Sequence, residues 1–224
     1  MAMWFLFVFI ILGVLLAIRI YTYENSEFRK ITEYSLLHIW TNNDIKHTYK
    51  FVQSLRNLQG EYKLLLNLAL PEKNGKRKID AVVIHPSGIY VFNLQNHSGW
   101  IYGREKDEQW AHAAFKKDEL IPFNNPIIEL KNAVLNLKNR ISIEKNHLYR
   151  LVVLFSDQCA VKKIMISSKN VSVLKVNELK DFWKLKKEQI LTADEVNRIY
   201  QSLTPFVEVS NPSMQKKIGH VANH

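Results

Sequence analysis

Hydrophobic positions fall in three regimes along the chain, beginning with an unbroken run. Ala2 to Ile18 holds no charged residue and is dominated by Phe, Ile, Leu and Val, with Trp4 near one end and Tyr21 and Tyr23 near the other. At about 1.5 Å per residue, a helix carried on to Tyr21 or Tyr23 is long enough to cross a bilayer core, and the aromatic residues fall at its two interfaces. A looser stripe follows: Phe28, Ile31, Leu36, Leu37, Ile39 and Trp40 recur at helical spacing, which predicts a juxtamembrane helix or linker over residues 24–43. Thr41-Asn42-Asn43-Asp44 then has the composition of a break and a helix cap. After it Ile45, Tyr49, Val52 and Leu55 return every three or four residues.

Strand-like runs take over next. Tyr62 to Leu70 is apolar on both faces and predicts a buried strand. Glu72 to Lys78 predicts a hairpin loop around Asn74-Gly75, carrying Lys73, Lys76, Arg77 and Lys78. Ile79–Ile84 and Gly88–Leu94, joined by His85-Pro86-Ser87-Gly88, predict a hairpin, and a further strand begins at Trp100. Trp110 to Pro122 has the character of a loop. Asn125-Pro126 opens a helix with Ile127, Leu130, Val134, Leu137 and Ile141 on one face, which leaves Glu129 and Lys131 toward solvent. Leu148–Phe155, Ile164–Ser167 and Val171–Lys175 predict strands. Helices are expected over Asn177–Lys187 and Thr192–Leu203, the second opening on the capping-box order Thr192-Ala193-Asp194-Glu195. Residues 206–224 are polar, with Pro212 and Gly219, and predict a flexible tail.

Composition narrows the picture. A chain of 224 residues, 47% hydrophobic, suits one domain plus a tether. The single Cys159 excludes an intramolecular disulfide; lying just beyond the apolar Leu151–Phe155 run with no His or Asn pattern beside it, it is expected to be structural. His220 and His224 are four apart in the tail but have no further ligands for a metal. A secretory signal would put positive charge before the apolar run and an Ala-x-Ala site after it, and neither is present. Arg19, Arg29 and Lys30 follow the run, so the positive-inside rule predicts a single-pass anchor with its N-terminus outside and the domain in the cytoplasm. The net charge of +10 favours nucleic acid or anionic lipid as a partner. Helix lysines such as Lys184, Lys186 and Lys187 are ordinarily just a solvated face.

The central hairpin carries the candidate chemistry. Residues two apart on a strand share a face, so Asn93 and Gln95 project together with Leu94 on the opposite side, and Asp80 stands on the neighbouring strand. An acid facing paired polar positions is one way to build a metal and phosphate site. The same residues also fit a half-exposed sheet face, with Asp80 paired to Arg77 or Lys78.

Gly60-Glu61-Tyr62, Leu70-Pro71, Ile79-Asp80, Gly88-Ile89-Tyr90-Val91, Asn96, Gly99-Trp100-Ile101-Tyr102-Gly103, Trp110, Phe123 and Asn125-Pro126 stand in that order. Together they make a chain that resembles the nuclease-related domain, NERD, over roughly residues 44–205. The resemblance implies an α/β fold of the restriction-endonuclease-like, PD-(D/E)XK kind: a mixed sheet flanked by helices, here preceded by one transmembrane helix. It further implies a site made of a Glu on the first helix, an Asp after Ile on a strand, and Glu-x-Lys on the next strand. Carried over, Asp80 is retained, and Glu-x-Lys falls on Asn93-Leu94-Gln95. The helix Gly-Glu falls on His47-Thr48, or a small shift brings in Asp44. A Gln three residues after the Asn-Pro is Glu129 here.

These departures bear on catalysis. An amide adds no negative charge for Mg²⁺, and Gln95 has neither a positive charge nor a titratable proton with which to replace a lysine. The expectation is therefore a membrane-anchored pseudonuclease that binds nucleic acid through Lys73, Lys76, Arg77 and Lys78. It requires no cofactor, and Asp80 is the position left for Mg²⁺ or Mn²⁺. One alternative is an active metal-dependent nuclease in which Glu61, Glu72, Glu105 or Glu129 supplies the missing acids and Lys78 or His97 the proton donor. Another is a basic domain that packs on anionic lipid or on a membrane partner protein.

Overall fold

A computed structural model describes residues 2–73, 75–115, 119–143, 145, 148–185 and 188–208. Two compact units divide the chain between Gln53 and Ser54.

The first unit opens with α1 (Ala2–Glu24), which is exposed along its apolar length and is long and apolar enough to cross a membrane. The stripe that follows is two helices rather than one, α2 (Glu27–Thr32) and α3 (Leu36–Thr41). They are separated at Glu33, whose left-handed backbone (φ 54°) ends α2 with its N–H donating to the Arg29 carbonyl at 2.9 Å. Aromatic edges hold this turn. The Tyr49 ring lies 5.8 Å from Tyr23 and 5.4 Å from Phe28, and the Tyr23 hydroxyl donates to the Tyr34 carbonyl. Asn42 caps α4 (Asn43–Ser54), its Oδ1 accepting from the N–H of Asp44 at 2.8 Å and of Ile45 at 3.1 Å.

The second unit is α/β, with two sheets. Its strands are β1 (Lys63–Glu72), β2 (Gly75–His85), β3 (Gly88–Gln95), β4 (Gly99–Arg104), β5 (Gln109–Ala113), β6 (Ile121–Asn124), β7 (Tyr149–Phe155), β8 (Cys159–Met165) and β9 (Val171–Lys175). Its helices are α5 (Pro126–Lys138), α6 (Leu179–Lys184) and α7 (Ala193–Leu203). One sheet has the order β1-β2-β3-β7-β9, antiparallel through β3 and parallel from there on; the other has the order β6-β5-β4-β8. Ile127, Leu130, Val134 and Leu137 of α5, with Val196, Ile199 and Leu203 of α7, bury their apolar stripes in one core with Leu70, Ile79, Val82, Val91 and Val153 of the five-stranded sheet. The mixed, helix-flanked sheet is the fold class read from the sequence.

Several elements differ from the sequence reading. Trp110 to Pro122 is not simply a loop, because β5 and β6 lie at its two ends. Strands of five and four residues, Gln-Trp-Ala-His-Ala and Ile-Pro-Phe-Asn, carry no alternation long enough to register, and Pro122 reads as a breaker. Register pairs Glu72 with Gly75, so Lys76, Arg77 and Lys78 stand on β2 and not in a loop. The strand expected at Ile164 begins at Cys159. Helix α6 ends at Lys184, with 186 and 187 outside the described residues. The chain is still tied to β1 where a tail was expected to have begun: Val207 bridges to Leu68, and the Glu208 N–H donates to the Asn67 carbonyl at 2.8 Å. His220 and His224 lie outside the described residues.

Two positions explain the Gly-Trp-Ile-Tyr-Gly run. A Cβ on Gly99, whose φ is 88°, would stand 1.9 Å from the Ala113 carbonyl oxygen, and one on Gly103 would stand 2.3 Å from the Trp110 ring. Cys159 is buried, which pushes its thiol up to about 11, the behaviour of a packing residue.

A buried carboxylate closes the turn after β4. Glu105, 6% exposed, accepts from the Ser167 N–H (2.7 Å), the Ser168 N–H (2.9 Å), both serine hydroxyls and the Lys131 ammonium (2.8 Å). Burial alone would raise its proton affinity, yet these donors hold the carboxyl well below the usual carboxylate range. Lys131 is thus exposed, as expected, but bound. Glu105→Gln should lower the unfolding free energy by about 2–4 kcal/mol, because it leaves donors placed for a charge. Thermal melting of the full chain in detergent should register this as a fall of several degrees. Because the folded carboxyl is the stronger acid, its contribution is complete above the unfolded value of about 4.3 and fades as pH falls below it. Acid sensitivity in that range should be shallower in the variant.

Candidate functional site

The site opens where two strands part. The β2–β3 ladder runs from His85↔Gly88 to Ala81↔Phe92 and stops, whereas β3 goes on pairing with β7 as far as Gln95↔Phe155. In the gap Asp80 Oδ2 accepts the Leu94 N–H at 2.7 Å, replacing the ladder acceptor that the splay removes. A pocket of about 360 Å³ forms between the parted strands and α5. Asp80, Asn93 and Glu129 reach it from β2, β3 and the first turn of α5, and Lys76, Arg77 and Lys78 also line it.

The i, i+2 reading of the hairpin holds, because the Gln95 amide donates directly to Asn93 Oδ1. Asn93 in turn donates through Nδ2 to Glu129 Oε2 at 3.2 Å. Glu129 is therefore not solvent-facing, as the helix pattern had indicated, but half-buried in the pocket wall. Its placement follows from Asn125, which is 1% exposed. Asn125 Oδ1 caps α5 by accepting the Ile127 N–H at 2.9 Å, while Nδ2 donates to the carbonyls of Arg104, Glu105 and Asp107 at 3.2, 3.2 and 2.6 Å. The role of Glu129 in the pocket had one sequence signal, its place three residues after the Asn-Pro.

Electrostatics inside the pocket run toward the neutral acid. Burial raises the proton affinity of Asp80, the negative charge of Glu129 raises it further, and the Leu94 N–H opposes both. The pairing of Asp80 with Arg77 or Lys78 does not form. The Arg77 guanidinium instead grips both oxygens of Glu72, and Lys76 pairs with Glu208 at 2.8 Å. Of the four basic residues expected to face nucleic acid, two are held by carboxylates and Lys73 and Lys78 are exposed.

The remaining candidates scatter. Glu61 is exposed, Glu72 is bound by Arg77, and Glu105 is committed to its serine clamp. The His97 ring lies 4.5 Å from His112 and 4.3 Å from Phe123 and does not line the pocket; burial, then the neighbouring imidazole, lowers its proton affinity. Thr48 is on α4 in the first unit, its hydroxyl donating to the Asp44 carbonyl at 3.0 Å. Among the described residues no cluster of three His, Cys, Asp or Glu side chains has metal-site geometry. A divalent cation in the pocket would be held by Asp80 and Glu129, whose carboxylates suit a hard ion that keeps much of its water. Asn93 Oδ1 is already engaged by Gln95.

A mixed sheet with an acid at the splay and a helix laid across it defines a nuclease-like α/β protein. The chain belongs to the NERD family: the nuclease-related domain model matches residues 43–156. It is also similar to an uncharacterized protein of Bacillus anthracis, 31% identical over 145 residues, a stretch that covers 63% of this chain and 66% of that protein. No solved structure gives a significant match.

Because the folded Asp80 carboxyl is the weaker acid, its contribution to stability is complete below the unfolded value of about 3.9 and is lost as pH rises through its folded value. Asp80→Asn keeps an acceptor for Leu94 and removes the like charge facing Glu129. Melting of the full chain in detergent should show the variant a few degrees more stable than wild type at pH 7.5, with the difference vanishing toward pH 4.

Proposed function

We propose that this NERD protein is a membrane-anchored, catalytically degenerate module that binds nucleic acid without cutting it. The observation that carries the reading is the bonding of the pocket: the amides of Asn93 and Gln95 tie to one another and to Glu129, where metal-assisted phosphodiester hydrolysis wants a second acid and a lysine. Burial, then the facing charge of Glu129, raises the proton affinity of Asp80, which works against the carboxylate a metal would need. The net charge of +10 and the exposed Lys73 and Lys78 support an electrostatic contact with phosphates.

A second reading has one specific observation behind it. Glu129 returns a second carboxylate to the pocket that Asp80 and Lys78 also line. If Mg²⁺ or Mn²⁺ binds there it would supply positive charge at a phosphate. Asp80 and Glu129 would hold it, and Lys78 would be the nearby proton source.

One assay separates the two. Full chain in neutral-lipid nanodiscs should leave single- and double-stranded DNA and RNA intact in Mg²⁺ and in Mn²⁺, yet bind them with an affinity that falls steeply between 50 and 200 mM salt. Metal-dependent cleavage that disappears in both Asp80→Asn and Glu129→Gln would replace the first reading with the second. The combination Asn93→Glu with Gln95→Lys tests whether the scaffold still positions a working site.

The anchor is part of the same proposal. We read α1 as the membrane span, with Arg19, Arg29 and Lys30 on the cytoplasmic side and the N-terminus outside. A cysteine in place of the exposed Lys46 should react with a membrane-impermeant maleimide in inside-out vesicles and be protected in intact cells. The buried Cys159 serves as the silent background.

A further inference from the structure

We propose that the outward face of the four-stranded sheet is a stacking platform for single-stranded nucleic acid. The proposal rests on the nucleic-acid-binding reading above and assigns it a surface and a strand preference.

Alternation sorts the sheet into two faces. Ile101, Trp110, Phe123 and Cys159 turn inward and are buried or partly buried in the core. Trp100 and Tyr102, on the interior strand β4, therefore turn outward, and both stay partly exposed. They are two residues apart, about 6–7 Å along the strand, which leaves room for one base per ring. The positions beside them are small: register places Ala113 and Ala160 opposite Trp100 and Ala111 opposite Tyr102, so neither ring is walled in by a long neighbour on β5. Phe115, 55% exposed, adds a third aromatic ring, edge-on to Trp100 with centroids 5.2 Å apart.

Cations flank the rings. Lys163 lies opposite Tyr102, Arg104 follows on the same face, and the Lys162 ammonium sits 4.2 Å from the Trp100 ring centroid. The register slip between Ile101 and Tyr102 puts two residues of β8 beside one step of β4, which brings both lysines to this side. Lys162 covers one face of the indole, which is electron-rich enough to hold a cation. An exposed cation–π contact is weak beside base–aromatic stacking, so an incoming base displaces the ammonium, which is then free for a phosphate.

Paired aromatic rings on a central strand with ammonium groups around them fit unstacked bases and their backbone. A duplex hides its base faces and offers phosphates only. An anionic bilayer is the competing partner, but membrane-anchoring rings sit where they can sink below the headgroups. Trp100 and Tyr102 instead stand half-buried on a pleated sheet.

The test uses full chain in phosphatidylcholine nanodiscs, with fluorescein-labelled twelve-residue oligothymidine and a duplex of equal phosphate count, read by anisotropy at 50 and 200 mM salt. Trp100→Ala and Tyr102→Ala should each weaken oligothymidine binding about 5- to 150-fold and duplex binding less than about twofold, with the salt slope unchanged. Lys162→Gln with Lys163→Gln should flatten the slope. Melting temperature in the same nanodiscs checks that the variants fold. Independently of any substitution, ultraviolet crosslinking of wild type to 5-iododeoxyuridine oligonucleotide should place the adduct on Trp100, Tyr102 or Phe115. Oligothymidine binding that ignores the ring variants, with adducts elsewhere, overturns the platform and leaves nucleic-acid binding standing. No binding of any nucleic acid overturns both. Loss in the ring variants of capture by phosphatidylserine vesicles, with no oligonucleotide binding, makes this face a lipid surface instead.

Discussion

Asn125 is the residue through which the second unit is held in register with itself. Its amide makes one bond forward into α5 and three back to the turn after β4, so both ends of a buried polar group are satisfied in one place. The turn belongs to one sheet and α5 packs on the other, so the amide couples the two. The Trp110 indole N–H donates to the same Arg104 carbonyl at 2.9 Å, and Glu105, in the same turn, reaches across to Ser167 and Ser168 just before β9. No other side chain could do this work at equal size. Aspartate has no N–H to donate to three carbonyls, and serine has too few donors.

From that constraint the pocket follows. With the start of α5 fixed, Glu129 has one place to point, the gap where β2 leaves β3. Two carboxylates then share a small volume, and the protein answers with amides rather than with a lysine. Burial first, and then the charge of Glu129, raises the Asp80 proton affinity, and a neutral donor such as Asn93 satisfies an acid oxygen without cancelling its charge. The cations that also line the pocket are partly spent on other acids, Arg77 on Glu72 and Lys76 on Glu208.

How much of this could be read from the sequence depends on whether the determining forces are local. The β2–β3 hairpin was legible because Val, Ile, Tyr and Phe run up to a Pro-Ser turn, and α5 because Asn-Pro precedes a stripe of period 3.6. The shared face of Asn93 and Gln95 needed only strand geometry. Strands β5 and β6 were not legible, since segments of five and four residues, one holding a proline, become strands only by pairing with β4 and with each other. The basic cluster looked stronger than it is for a related reason. Lys76 is neutralised by Glu208, 132 residues away, and no local pattern announces such a partner. Glu129 sits on a helix face whose direction is set by Asn125, so a helical wheel alone sends it to solvent.

The four-stranded sheet shows what the five-stranded one leaves over. Helices α5 and α7 bury their apolar faces with the larger sheet, and the outward side of the smaller one keeps Trp100, Tyr102, Phe115 and Met165 partly or largely in water. Sheet faces left open are normally alternated with polar side chains to keep them soluble. Here the alternation gives aromatic rings on the middle strand, alanines across from them and lysines at the edge. Ala113 is buried beside Trp100 and is accounted for by packing, while Ala111 and Ala160 stay partly exposed beside the two rings. Small neighbours along the flanks of Trp100 and Tyr102 suit the flat ligand proposed for this face.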